Sequence, residues 1–175
     1  MNGAEGIGCC ELLDVVRTLD CSGAPFSIVV DVENTVVPYG APSVHALNLM
    51  KQTVVSLGAC SHLRCVIFLS NSRRRFPVRQ VPGRARSVSI SRARKPWTST
   101  ASLRKVAPGA PIVAVFGDQP LTDGILAWRL AVPYHAVTLS SSREPLWPRT
   151  LRLVGGPLLG LLQRMSRRPA VEDGR

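Results

Sequence analysis

The sequence predicts an α/β fold built on a parallel sheet, and three observations lead to it. Strand-type runs at Phe26 to Asp31, Arg64 to Ser70 and Pro111 to Gly117 are nearly all apolar, as strands buried on both faces are. Stretches with helical spacing separate them, the pattern of βαβ units. Each run also stops abruptly in small polar or acidic residues, and ligands of open α/β sheets bind beyond the carboxyl ends of the strands.

In chain order, Leu12, Leu13, Val15, Val16 and Leu19 make Glu11 to Asp20 an amphipathic helix. Cys21-Ser-Gly-Ala-Pro25 breaks it. The first strand follows, then a loop at Pro38-Tyr-Gly-Ala-Pro42. Ser43 is expected to cap a helix reaching about Leu57, with Gly58 as its stop. After the second strand, Arg73 to Arg94 is rich in Arg, Pro and Gly and reads as a loop excursion with one short strand near Ser87 to Ile90. Thr98 to Val106 is expected as a short helix, Thr122 to Ala131 as another, and Tyr134 to Leu139 as a last strand. Residues 1–168 are expected to form one domain, with its core at about 25–140. The segment 146–166 is apolar, interrupted by Gly and Pro and edged with Arg. It suits either a membrane interface or a helix packed on the sheet. Residues 169–175 are expected to be a disordered tail.

A chain of 175 residues, 45% hydrophobic and 19% charged, has enough apolar mass for a core without staples. Its five cysteines are odd in number and form no C-x-x-C pair, which argues against a disulfide framework and a zinc site. There is no signal-peptide pattern and no apolar run of the roughly 18 residues that a span needs, so the expectation is a cytosolic, reduced protein. The formal net charge is +11, unevenly spread: no Asp or Glu lies between Glu33 and Asp118, an interval with thirteen Lys or Arg. Nine of these fall from Arg73 to Lys95. Such a field favours anionic partners, although a proteome that simply prefers Arg would give the same composition.

The chemistry-bearing residues sit where the strands end: Asp31 and Glu33 with Asn34 and Thr35, then Ser70 and Asn71, then Lys95, then Asp118 and Asp123. The series D-x-E-N-T, S-N-S, K-P and G-D-Q-x-x-T-D resembles the haloacid dehalogenase-like (HAD) superfamily of phosphotransferring enzymes. Within it, Asp31-Val-Glu-Asn-Thr-Val-Val-Pro-Tyr-Gly40 together with Gly117-Asp-Gln-Pro-Leu-Thr-Asp123 resembles the IIIA-type, YqeG-like subfamily, over about residues 25 to 140. The resemblance implies a Rossmann-like core with strand order 5-4-1-2-3 and no large cap domain. It implies that Asp31 is the nucleophile of an aspartyl-phosphate mechanism. It further implies that Mg²⁺ is held by Asp31, Asp118 and the backbone carbonyl of Glu33, a hard-oxygen set. Ser70, Asn71 and Lys95 would then meet the phosphoryl group, Asp123 would support the metal or Lys95, and Asn34 and Thr35 would shape the loop. His45, His62 and His135 match no motif and read as structural.

One position departs from the family pattern, in which a second Asp stands where this chain has Glu33. The resemblance makes it the general acid and base, moved outward by one methylene. The subfamily is similar to phosphatidylglycerophosphate phosphatases, so the expected substrate is an anionic phospholipid. The expected setting is peripheral, on the inner face of the membrane. A soluble phosphatase for a sugar phosphate or nucleotide is the first alternative. A non-catalytic nucleic-acid or ribosome-binding protein on the same fold is the second, disfavoured because only Phe76 and Trp97 could stack on bases in the Arg-rich stretch.

Overall fold

The computed structural model describes residues 7–74 and 85–139. In order they form α1 (Ile7–Asp20), β1 (Phe26–Asp31), α2 (Ser43–Leu57), β2 (Leu63–Ser70), β3 (Arg86–Ser91), α3 (Thr100–Val106), β4 (Ile112–Gly117), a π-helical turn (Pro120–Gly124), α4 (Ile125–Leu130) and β5 (Tyr134–Ala136). The five strands make one parallel sheet in the order β3-β2-β1-β4-β5. The segment 146–166 and the tail 169–175 lie outside the described residues, as does the middle of the Arg-rich excursion.

All six residues of β1 are buried, because it is the central strand, paired with β2 on one side and β4 on the other. Alternation along it sorts the core into two layers. Ile28 and Val30 join Leu12, Val16, Met50, Phe68 and Phe116 beneath α1 and α2. Val29 joins Ile67, Leu69, Val115, Leu103 and Leu126 beneath α3 and α4. Burying each such side chain contributes about 1.5–3 kcal/mol, so the sheet is clamped from both faces. The carboxylate of Asp20 closes the bottom of the fold: it accepts from the backbone N–H groups of Ser61 (3.1 Å) and His62 (2.8 Å), tying α1 to the start of β2. His135 stacks on Phe116 at 5.0 Å between ring centroids.

Several boundaries differ from the sequence reading. Helix α1 begins one turn earlier than Glu11. Ser43 is the first helical residue of α2 rather than its cap; Pro42 takes the cap position with no side-chain hydrogen bond, its carbonyl accepting from Ala46 N–H at 2.9 Å. Gly58 does end α2, but with right-handed dihedrals, its N–H bonding to Val54 and Val55 carbonyls. In α3 the cap is Ser99, whose hydroxyl accepts from Ser102 N–H, so the helix begins at Thr100 and not at Thr98. The helix expected from Thr122 starts instead with the π-helical turn, since Pro120 has no N–H to give and opens a new segment. Strand β5 stops at Ala136, because Leu139 N–H leaves the sheet to reach the Asn34 carbonyl at 2.8 Å.

No helix among the described residues is long and apolar enough to cross a membrane. Helix α4 ends at Ala131, which adopts left-handed dihedrals (φ 57°) that glycine accepts without a Cβ penalty. Ala131→Gly is therefore expected to stabilise the protein by about 0.5–1 kcal/mol, read from the urea midpoint at unchanged slope.

Candidate active site

The carboxyl ends of β1 and β4 lie side by side at the centre of the sheet, and the loops that leave them carry the acidic residues. Directly after β1 the chain folds tightly: Val36 and Val37 N–H both bond to the Val32 carbonyl, and Asn34 N–H bonds to Val37. Asn34 holds a left-handed conformation (φ 61°), which Asn tolerates better than most residues. Its amide donates to Asp118 Oδ2 at 3.1 Å, so the β1 loop grips the β4 loop.

Lys95 enters from β3. Its ammonium is buried and donates to Asp31 Oδ1 at 2.5 Å and Asp123 Oδ1 at 2.7 Å. Its backbone is held by Asn71, whose side-chain oxygen accepts from Lys95 N–H at 2.6 Å and whose side-chain nitrogen donates to the Lys95 carbonyl at 3.4 Å. Asp31 Oδ1 also accepts from Val32 N–H at 2.8 Å, and Asp123 Oδ2 accepts from Gln119 N–H at 3.2 Å. Removing one partner of a buried pair costs about 3–5 kcal/mol, because a charge is then left buried and uncompensated.

Asp31, Asp118 and Asp123 offer carboxylate oxygens within 4.8 Å of one another, and all three are buried. Such a cluster can hold a metal ion. When fully ionised, the three face a single buried ammonium, an excess of two negative charges. Burial raises the carboxyl of Asp31 to about 6, opposed by Lys95 and reinforced by Asp118. Burial likewise raises Asp123 to about 7 against the pull of Lys95. Lys95 is driven up despite its burial, because both carboxylates favour the ammonium form.

A cleft of about 260 Å³ opens on this cluster, lined by Asp31, Glu33, Asn34, Asn71, Lys95 and Asp118 among the residues expected from sequence. Tyr39, Ser72, Gln119 and Thr122 also line it and were not anticipated. All four stand inside the motifs quoted above, where they carried no assigned role. Three expected residues stand behind the cleft. Ser70 is buried, its hydroxyl donating to Glu33 Oε2 at 3.4 Å and accepting from Ser72 N–H at 2.9 Å. It therefore orients Glu33 and the loop. Thr35 is buried in the β1 loop. Asp123 is paired with Lys95. Gly117 was also missed: a Cβ there would lie 2.3 Å from Asp123 Oδ2, so the strand must end in glycine to admit that carboxylate.

Comparison with known proteins finds no match to a protein-family model, a curated protein or a solved structure.

Two expectations follow from this geometry. Gly117→Ala should push Asp123 off Lys95 and destabilise the protein by about 1–3 kcal/mol, the usual cost of overpacking, measurable by urea denaturation. The second concerns pH in the absence of divalent cations. Asp31 and Asp123 bind protons more tightly folded than unfolded, so stability is greatest below the ordinary carboxyl value of 3.8 and falls as pH rises towards about 7. Thermal melts in EDTA should show that decline between about pH 4 and 7; Asp123→Asn, which removes one titrating group, should flatten it.

Proposed function

We propose that the protein is a Mg²⁺-dependent phosphomonoester hydrolase of the HAD type that forms an aspartyl-phosphate on Asp31. The observation that carries this reading is the convergence of Asp31, Lys95, Asp118 and Asp123 at the carboxyl edge of a parallel sheet. Strand order supports it: read from the β5 edge, the sheet runs 5-4-1-2-3, as the resemblance implies. Only residues 32–42 separate β1 from α2, too few for a cap domain, in keeping with an open site.

The donor set fits magnesium, which favours hard oxygen ligands and few protein carboxylates. Both Asp123 oxygens are engaged, by Lys95 and Gln119, so Asp31, Asp118 and the Glu33 carbonyl are the ligands we assign. When bound, the cation offsets the repulsion between an anionic nucleophile and an anionic phosphoryl group. Asp31 Oδ1 accepts from Lys95 and Val32 N–H, which fixes the carboxylate that attacks phosphorus. As the bond from phosphorus to the ester oxygen breaks, the departing oxygen takes a proton from Glu33, oriented by the Ser70 hydroxyl. Glu33 then takes a proton from water, whose oxygen attacks the phosphorus of the aspartyl-phosphate. Inorganic phosphate leaves and the Asp31 carboxylate is restored. Lys95 balances negative charge throughout.

For substrate, the reading we favour is phosphatidylglycerophosphate at a membrane surface, yielding phosphatidylglycerol. An uncapped cleft suits a headgroup presented by a bilayer. The formal net charge of +11 suits an anionic leaflet, where each surface cation contributes about 1 kcal/mol.

The test is phosphate release from phosphatidylglycerophosphate in mixed micelles. Turnover should require Mg²⁺, vanish in EDTA and fall by at least about 10³-fold in Asp31→Asn. Glu33→Gln should lose about 10²–10⁴-fold, while Glu33→Asp keeps activity. Turnover that survives Asp31→Asn would overturn the mechanism; turnover on soluble monoesters alone would overturn only the lipid substrate.

A further inference from the structure

A second pocket, of about 680 Å³, opens beside the first and is lined by Asn71, Arg73, Arg92 and Arg94. Asn71 lines both, so the two are contiguous. The parallel register explains how the pocket is built. Ser70 at the end of β2 pairs with Ser91 at the end of β3, so residues 71–73 and 92–94 leave the sheet side by side. Arg92 N–H bonds to the Ser72 carbonyl at 3.2 Å and Ala93 N–H to the Ser70 carbonyl at 2.9 Å, pinning the two exits together. Beyond β3 the chain alternates: Ala93 and Lys95 are buried, whereas Arg92 and Arg94 are exposed. Both arginines hold left-handed dihedrals, φ 55° and 54°.

No ion pair among the described residues involves Arg73, Arg92 or Arg94, and the chain carries no Asp or Glu from residue 34 to 117. Three arginines thus line one pocket next to the cleft. Lys95 is committed to Asp31 and Asp123, so the positive charge around the reacting group is supplied separately from this pocket.

We propose that the Asn71–Arg73–Arg92–Arg94 pocket is a subsite for a second, non-reacting phosphate on the same substrate molecule. The proposal rests on the phosphatase reading and narrows its substrate class. The preferred substrates are those with a phosphomonoester in the cleft and a phosphate diester or monoester a few bonds away. Planar guanidinium forks match phosphate oxygens in pairs and are always charged. Binding energy from this remote group raises kcat/KM without touching the reacting bond.

The experiment compares alkyl monophosphates with α,ω-alkanediol bisphosphates of three to six carbons, in wild type and Arg92→Gln/Arg94→Gln. Calorimetric binding to each protein gives a readout independent of turnover, and Mg²⁺-dependent phosphate release gives KM and kcat. Wild type should bind the best bisphosphate at least about tenfold tighter than its monophosphate, the scale of one charge-assisted hydrogen bond. The double variant should bring that ratio close to one, with kcat and KM on the monophosphate unchanged. A ratio near one in wild type, or an equal loss on both ligands in the variant, would overturn the subsite. Binding that discriminates without any turnover would sustain the subsite while the hydrolase reading fails. A final arm separates sources of the second phosphate, using a phosphatidylglycerophosphate micelle and its deacylated, soluble headgroup. An Arg dependence shared by both supports the subsite. A dependence seen only with micelles means that these arginines read surface charge, and the subsite is wrong.

Discussion

The structure turns on one buried ammonium. Lys95 Nζ lies between Asp31 and Asp123, and without it two carboxylates would face each other in a site that water barely reaches. Burying carboxylates is costly and is tolerated when an opposite charge and hydrogen bonds compensate. One ammonium compensates only part of the charge of three aspartates. The remaining negative potential follows from the arrangement of the chain's own groups, and it leaves a cluster that could hold a cation.

Much of the local backbone serves that ammonium. Asn71 holds Lys95 by its peptide on both sides. Gly117 leaves room for Asp123, and the π-helical turn after it brings Gln119 N–H onto the same carboxylate. Asn34, in a conformation that most residues avoid, links the loop of Asp31 to that of Asp118. Each device is a short-range solution to a long-range requirement, namely that the segments leaving β1, β3 and β4 deliver their charged groups to one point.

The sheet and the centre of the site were legible in the sequence for different reasons. A strand buried on both faces must be apolar throughout, so β1, β2 and β4 announce themselves. A carboxylate at the end of such a run reads equally well as a turn residue, and Asp31, Lys95 and Asp118 became candidates only because their motifs occur together and in order. The orientation of Ser70 could not be read, because a strand-end serine is equally able to face a ligand or turn back onto Glu33. Tyr39, Gln119 and Thr122 stand within the motifs, but nothing in their residue types assigns them to the cleft wall. The cap of α2 misled because Ser43 is a good capping residue by type, while Pro42 had already set the dihedral that a cap requires. The π-helical turn was hidden because its residues satisfy a helical spacing equally well.

The parallel order of the strands has a consequence for how the molecule assembles. The partners at its centre are distant along the chain: Lys95 and Asp31 are 64 positions apart, and Asn34 and Asp118 are 84. No local segment can rehearse such contacts, and parallel pairing demands closure of long loops before any reward is gained. The charged cluster sits at the carboxyl edge of that sheet, so its ion pairs depend on the strand pairing beneath them being complete.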